Sequence, residues 1–331
     1  MPDPARILRE AYDTVRRDYG GAVGQRRDEL ITPALVLDID AAQRNIDHMA
    51  SELKQMGAAT IRPHYKTHKS PDLARRQLQA GAAGLSMATV WEAAILAAAG
   101  MDDLFVVNTV AHPAKLRALA ELAREVMDLP GLRFEGITGY EGHCSMTPDH
   151  DLRHERQRAA MKFFTDVAGQ LEADGIPCPI RSAGGIATWN WTAAYPGVTE
   201  IQAGTYVVMD NFHGRMVPGF EHSLTIAATV ISRQSGKVIV DAGNKSVADP
   251  ADVTMVGHDH PVLRFDEEHG IFDAAGGSAL RVGDPVALVP GYSPSTVNWY
   301  DAYHVVQGDI VVDIWPVIPR GPGHHGIANP G

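Results

Sequence analysis

Short apolar runs alternate along this chain with longer stretches in which apolar positions recur at helical spacing. Arg6 to Tyr19 reads as an amphipathic helix, and Ala34-Leu-Val-Leu-Asp38 as a buried strand. Asp40 is expected to cap a helix over Ala41 to Met56, with Ile46, Met49 and Leu53 on its apolar face. A strand ending in Lys66 follows, then a helix over Pro71 to Ala80 closed by Gly81. Gly84 to Met87 is a strand, and Thr89 with Glu92 forms a capping-box pattern before a helix over Val90 to Ala99. Leu104 to Val107 pairs with a helix over Ala114 to Val126, and Leu132 to Tyr140 with a helix over His154 to Ala173. Ile180 to Ser182, Glu200 to Gln202 and Leu224 to Ile231 are three more short strands. Eight strand signals with helices between most of them predict an α/β fold, a (β/α)8 TIM-like barrel. An open doubly wound sheet is the alternative, but Asp38-Ile39-Asp40 stands where its Gly-rich turn belongs.

After about residue 230 the strands lose their helices. Lys237 to Asp241, Val262 to Phe265, Pro285 to Val289, His304 to Val306 and Ile310 to Val312 predict a β-rich second domain. The expected division is a helical segment over 1–31 packing on the C-terminal domain, a barrel over 32–230 and a β-rich domain over 231–331.

Composition narrows the function. The net charge is -11, with 29 basic and 40 acidic residues, and no basic tract is long enough to neutralise phosphates, which argues against nucleic acid as a partner. Two cysteines, Cys144 and Cys178, make no disulfide framework and suit a reducing cytoplasm. No run approaches a membrane span, and the N-terminal stretch has no apolar core of a signal peptide.

The candidate chemistry gathers at the C-terminal ends of the predicted barrel strands, where barrel active sites lie. Those ends carry Lys66, Met87-Ala88, Asn108, Tyr140 with His143, Ser182 with Gly184-Gly185, and Gly204-Thr205-Tyr206. A lysine enclosed at a strand end has a lowered pKa and an amine free for covalent chemistry; a basic loop is the alternative. Gly184-Gly185 and Gly204-Thr205 allow backbone N–H groups and a hydroxyl to approach a phosphate, or else simply make turns. Lysine and phosphate-competent loops together point to pyridoxal 5'-phosphate held as a Schiff base.

The motifs Thr32-Pro-Ala-Leu-Val-Leu-Asp38, Arg62-Pro-His-Tyr-Lys-Thr-His-Lys69, Tyr140-Glu-Gly-His143, Ser182-Ala-Gly-Gly185, Glu200-Ile-Gln-Ala-Gly-Thr-Tyr206 and Asp266-Glu-Glu-His-Gly270 resemble the D-threonine aldolase and D-serine dehydratase family. Its members are fold-type III pyridoxal phosphate enzymes with an alanine-racemase-like barrel. The resemblance implies that Lys66 is the Schiff-base lysine and that Ser182, Gly184, Gly185, Gly204 and Thr205 surround the phosphate. It implies that Tyr140 and Tyr206 border the cofactor, that His64 and His143 lie near the ring or substrate, and that a homodimer completes the site. The partner would be a small-molecule amino-acid substrate, whose side chain the sequence does not name. For His143, a structural hydrogen-bonding role and a catalytic one both remain open.

One segment departs from the family, whose members bind a divalent metal through His-x-Asp or His-x-Cys shortly before a Thr-Val-Asn-like sequence. Here that segment is Pro290-Gly-Tyr-Ser-Pro-Ser-Thr-Val-Asn298, which puts Tyr292 and Pro294 at the ligand positions. Proline has no ligating side chain and neutral tyrosine is a poor ligand, so no metal is expected. Loss of hydroxide suffers more from that change than Cα–Cβ cleavage or Cα proton exchange. The expectation is therefore an aldolase-type carbon–carbon lyase, with a racemase or epimerase as the alternative and dehydration less favoured. Tyr292 is a candidate to bond the β-substituent or donate a proton. His258, His260, His304, His324 and His325 read as surface or tail residues.

Overall fold

The computed structural model describes residues 3–57, 59–107, 134–234 and 236–321. Its centre is walled by short parallel strands: Thr60–Ile61, Leu85–Met87, Leu104–Val106, Gly136–Thr138, Ile180–Ala183 and Glu200–Ile201. Thr60–Ile61 pairs with Glu200–Ile201, which pairs with Ile180–Ala183, which pairs with Gly136–Thr138. Leu85–Met87 pairs with Leu104–Val106, and a parallel bridge between His64 and Ser86 joins the two groups. The expected helix over 114–126, Asn108, His324 and His325 lie outside the described residues.

The predicted first and eighth barrel strands go elsewhere. Ala34–Asp38 runs parallel to Ala302–Gln307 and antiparallel to Leu224–Gln234, inside a nine-stranded sheet with the C-terminal strands. Leu35 and Leu37 face one core with Ile46 and Met49, while Ala34 and Val36 face another with Val15 and Ile314. A strand buried on both faces is apolar throughout, whether in a barrel wall or in the middle of a sheet, so its pattern alone does not choose between them.

Local chemistry accounts for the element ends. Asp38, not Asp40, caps the helix Ile39–Met56, its carboxylate accepting from Ala41 N at 2.9 Å. Asp40 lies inside the first turn, where a carboxylate complements the helix dipole. The helix His150–Ala173 begins earlier than its apolar pattern, because Asp149 caps it at Leu152 N. The strand before Lys66 stops at Ile61, since Pro63 offers no N–H to a ladder, and Tyr65–Thr67 forms a 3-10 turn. The N-terminal helix Pro4–Tyr19 lies on two surfaces: Val15 meets Val36 and Ile314, while Leu8 meets Trp91, Ile95 and Ile318.

Beneath the wall, Arg62 forms a two-pronged pair with Glu200, both bonds at 3.0 Å, and its third nitrogen donates to Asp103 at 2.5 Å. The Arg62 and Glu200 side chains are buried, so water does not screen their pair, and the bond to the exposed Asp103 extends the tie to a third wall strand.

Candidate active site

The turns at the C-terminal ends of the wall strands enclose a cavity of ≈ 310 Å³. The turn after Thr60–Ile61 supplies His64, Lys66 and Thr67. Ala88, Val107, Thr138, Gly139 and Tyr140 follow from the next strands, then Gly184, Gly185, Gln202, Gly204 and Thr205. His213, Tyr292 and Pro294 close the side formed by the C-terminal region. The placement follows the rule for parallel barrels, where side chains beyond the strand ends converge.

Lys66 reaches into this cavity and is accessible through it. Its amine has no hydrogen-bond or ion-pair partner among the described residues, and the Tyr140 ring centre lies 5.8 Å away. Desolvation by the surrounding protein lowers its pKa, only partly opposed by Glu92. Glu92 is engaged by the next lysine, Lys69, at 2.9 Å, and by the N–H groups of Ala88 and Thr89. The turn carrying Lys66 is clamped from outside the wall. Tyr65 Oη donates to Ile318 O at 2.5 Å, Tyr303 Oη to His68 O at 2.5 Å, and Ile318 N to Lys69 O at 2.8 Å.

The two histidines of the lysine motif differ. His64 lines the cavity, its Nδ1 accepting from Lys66 N at 3.4 Å, and burial together with the charge of Lys66 keeps it neutral. His68 is fully buried behind the turn, bonded to Gln77 Oε1 at 3.2 Å and accepting from Ser70 N. Burial pushes its pKa down to about 4.

Of the residues expected at this site, Lys66, His64, Tyr140, Gly184, Gly185, Gly204, Thr205 and Tyr292 line the cavity. Ser182, Tyr206 and His143 do not. Ser182 is buried below, accepting from Gln202 Nε2 at 2.9 Å. Tyr206 points into the core and accepts from Gln77 Nε2 at 2.9 Å, so it braces the lysine turn through Gln77 and His68. His143, in the short helix Gly142–Ser145, is exposed and turned off the cavity, with Cys144 Sγ 3.6 Å from Nε2. The wall residues not singled out by sequence include Thr138 and Gln202, joined at 2.7 Å, and His213. Gln202 follows a strand directly, which is a readable signal. The spacing Asp210-x-x-His213 is another, because a helix N-cap carboxylate reaches the residue three positions on.

The glycine turns fit a phosphate-bearing cofactor. A Cβ on Gly204 would stand 2.6 Å from His64 O, and one on Gly185 would stand 3.0 Å from the Tyr140 ring. Gly184 has φ +84°, which disfavours side chains. These turns therefore approach the lysine turn as only glycine permits, and the hydroxyl of Thr205 has no hydrogen-bond partner among the described residues. An accessible amine facing such turns suits an aldehyde that carries a phosphate.

The segment after Pro290 does not fit a metal. Tyr292 and Pro294 both reach the cavity wall, and burial, with Asp210 nearby, raises the Tyr292 phenol so that it stays neutral. Among the described residues no three His, Cys, Asp or Glu side chains converge as metal ligands.

Similarity to known proteins agrees with this site. A family described as "Putative serine dehydratase domain" matches residues 223–306. The D-threonine aldolase of an Arthrobacter species is 31% identical, over 88% of this chain and 93% of that one. The D-threo-3-hydroxyaspartate dehydratase of Delftia sp. (strain HT23) is 27% identical, over 86% of this chain and 97% of that one. The crystal structure of D-threonine aldolase from Filomicrobium marinum superposes with a TM-score of 0.82 at 28% identity, covering 90% of this chain and 98% of that one. The fold thus recurs in proteins similar along nearly their whole length, and the chain belongs to the D-threonine aldolase and D-serine dehydratase family, fold-type III pyridoxal phosphate enzymes on an alanine-racemase-like barrel.

Proposed function

We propose that the chain is a pyridoxal-phosphate-dependent lyase that cleaves the Cα–Cβ bond of a β-hydroxy-α-amino acid, releasing glycine and an aldehyde. The observation that carries this reading is the accessible Lys66 amine, unpaired among the described residues, facing the glycine turns. Lys66 would hold the cofactor, the Thr205 hydroxyl and the backbone of Gly184, Gly185 and Gly204 its phosphate, and Tyr140 and His64 its flanks. When bound, the cofactor supplies an electron sink for negative charge at Cα.

The remaining chemistry falls to the chain's own residues. The low pKa of Lys66 suits it to deliver and remove a proton at Cα. Neutral His64 beside it adds no positive charge that would repel the amine's protonated form. Cleavage needs a base for the β-hydroxyl, whereas dehydration needs hydroxide to leave, which a Lewis acid would ease. The side chains at the altered segment favour the first. The similarity to the Delftia dehydratase keeps dehydration as the second reading. D configuration and a homodimer with shared sites belong to the same proposal.

Incubation of the holoenzyme with D-threonine and with D-3-hydroxyaspartate tests it. Glycine and an aldehyde are expected from at least one of them. A keto acid with ammonia would replace the aldolase reading with dehydration, and an isomerised substrate would replace it with racemisation.

A further inference from the structure

The cavity holds one titratable side chain whose position has no counterpart in the motifs read from the sequence. His213 lines the wall beside Tyr292, its ring centre 5.8 Å from the phenol ring. Its Nδ1 lies 2.8 Å from Asp210 Oδ1, which also accepts from His213 N at 2.9 Å. Asp210 is fully buried, and its second oxygen accepts from both N and Oγ of Ser293 at 2.8 Å. Burial alone would raise this carboxyl, but the bonds from His213 and Ser293 outweigh it and hold Asp210 below the usual carboxylate range. An ionised acceptor on Nδ1 fixes the proton there and leaves Nε2 as the acceptor. His213 Nε2 has no hydrogen-bond partner among the described residues.

We propose that His213, oriented by Asp210, is the base that takes the β-hydroxyl proton, at the place where relatives of this family would hold a metal. The proposal rests on the lyase reading above and adds that cleavage proceeds without a divalent metal. The competing groups are poorly placed for the task. His143 is exposed and off the cavity, Nδ1 of His64 is already engaged by the lysine turn, and the raised phenol of Tyr292 is suited to donate, not accept. Ser293, bonded to Asp210, stands between Tyr292 and Pro294, so one buried carboxylate orders both the histidine and the altered segment.

The step balances without an added reactant. Nε2 of His213 takes the hydroxyl proton, the oxygen's electron pair forms the aldehyde C=O, and the Cα–Cβ bond breaks. Its electron pair stays on Cα, which then takes one proton to give glycine. The proton on His213 returns to solvent.

The test uses holoenzyme, D-threonine and glycine, with cofactor loading followed by absorbance. Cleavage is read as acetaldehyde, and proton traffic at Cα as deuterium uptake by glycine, which has no β-hydroxyl. We expect EDTA to leave wild-type cleavage unchanged. We expect H213N and H213Q to lose cleavage by about 10²–10⁴-fold while keeping the cofactor and glycine exchange. D210N is expected to show the same split, a pattern that general unfolding does not produce. Cleavage retained in both His213 variants, or loss on chelation restored by Mn²⁺ or Mg²⁺, would overturn the proposal alone. Loss of exchange together with cleavage in cofactor-loaded variants would also overturn it. A wild type that exchanges glycine but cleaves no β-hydroxy amino acid would remove the lyase reading and this inference with it.

Discussion

Gly204 is where the phosphate-type turn meets the lysine turn, and replacing it with alanine probes both at once. The added Cβ would stand 2.6 Å from His64 O, 2.8 Å from Thr67 Oγ1 and 3.1 Å from His64 Cβ. The first is a backbone atom, so no rotamer change relieves it. Nor is the turn free to recede. Tyr65 and Tyr303 hold it through hydroxyl bonds to Ile318 O and His68 O, and Lys69 O is bonded by Ile318 N. Overpacking in such a place costs about 1–3 kcal/mol. The displacement falls one to two residues from Lys66, so cofactor affinity should fall along with stability. Urea unfolding of G204A, apo and loaded, measures the first, and titration of the apoprotein with pyridoxal phosphate the second. A G204A protein with wild-type unfolding midpoint and affinity would show that the two turns are not packed as described.

Three further outcomes follow from named contacts. K66A should bind pyridoxal phosphate without the absorbance band of a protein-linked cofactor and should lose turnover; a variant with an unchanged spectrum would show that another lysine holds the group. E200Q removes the charge and one of the two acceptor oxygens of a buried pair and should destabilise the fold by roughly 3 kcal/mol in urea unfolding, leaving the Arg62 charge offset by Asp103 alone. His68 has a folded pKa of about 4 against 6.5 when free. Above pH 6.5 its contribution is whole; as pH falls toward 4 only the unfolded chain gains the proton, so about 3 kcal/mol of stability is lost across that window. Unfolding measured from pH 7 to pH 4 should show a shallower acid limb in H68Q, and an unchanged limb would contradict this assignment.

The lysine motif was legible because its residue types are rare in combination and because Lys66 follows a strand. The glycine turns were legible as small residues after strands, and capping by Thr89 and Glu92 as a short-range pattern. The Asp210–His213 pair was harder to find, since its three-residue spacing resembles many helix starts. Its meaning depends on Ser293 and Tyr292, some eighty residues away in sequence. Tyr206 and His143 were expected near the cofactor because their motifs are; backbone direction at each turn points one into the core and the other outward.

By itself, then, the sequence determined an α/β chain with a lysine and glycine-rich turns at strand ends, because hydrophobic period and turn chemistry act over a few residues. It also determined that proline and tyrosine occupy the positions of the expected metal ligands. The tertiary structure alone decided which sheet received Ala34–Asp38 and Leu224–Gln234, since an apolar run such as Ala34–Leu37 fits a barrel wall and the middle of a sheet alike. It alone decided which side chains face the cavity, because that depends on clamps between distant segments. The Tyr303 bond behind the lysine turn and the Asp210 bonds that aim His213 are such clamps, and neither leaves a periodic trace in the chain.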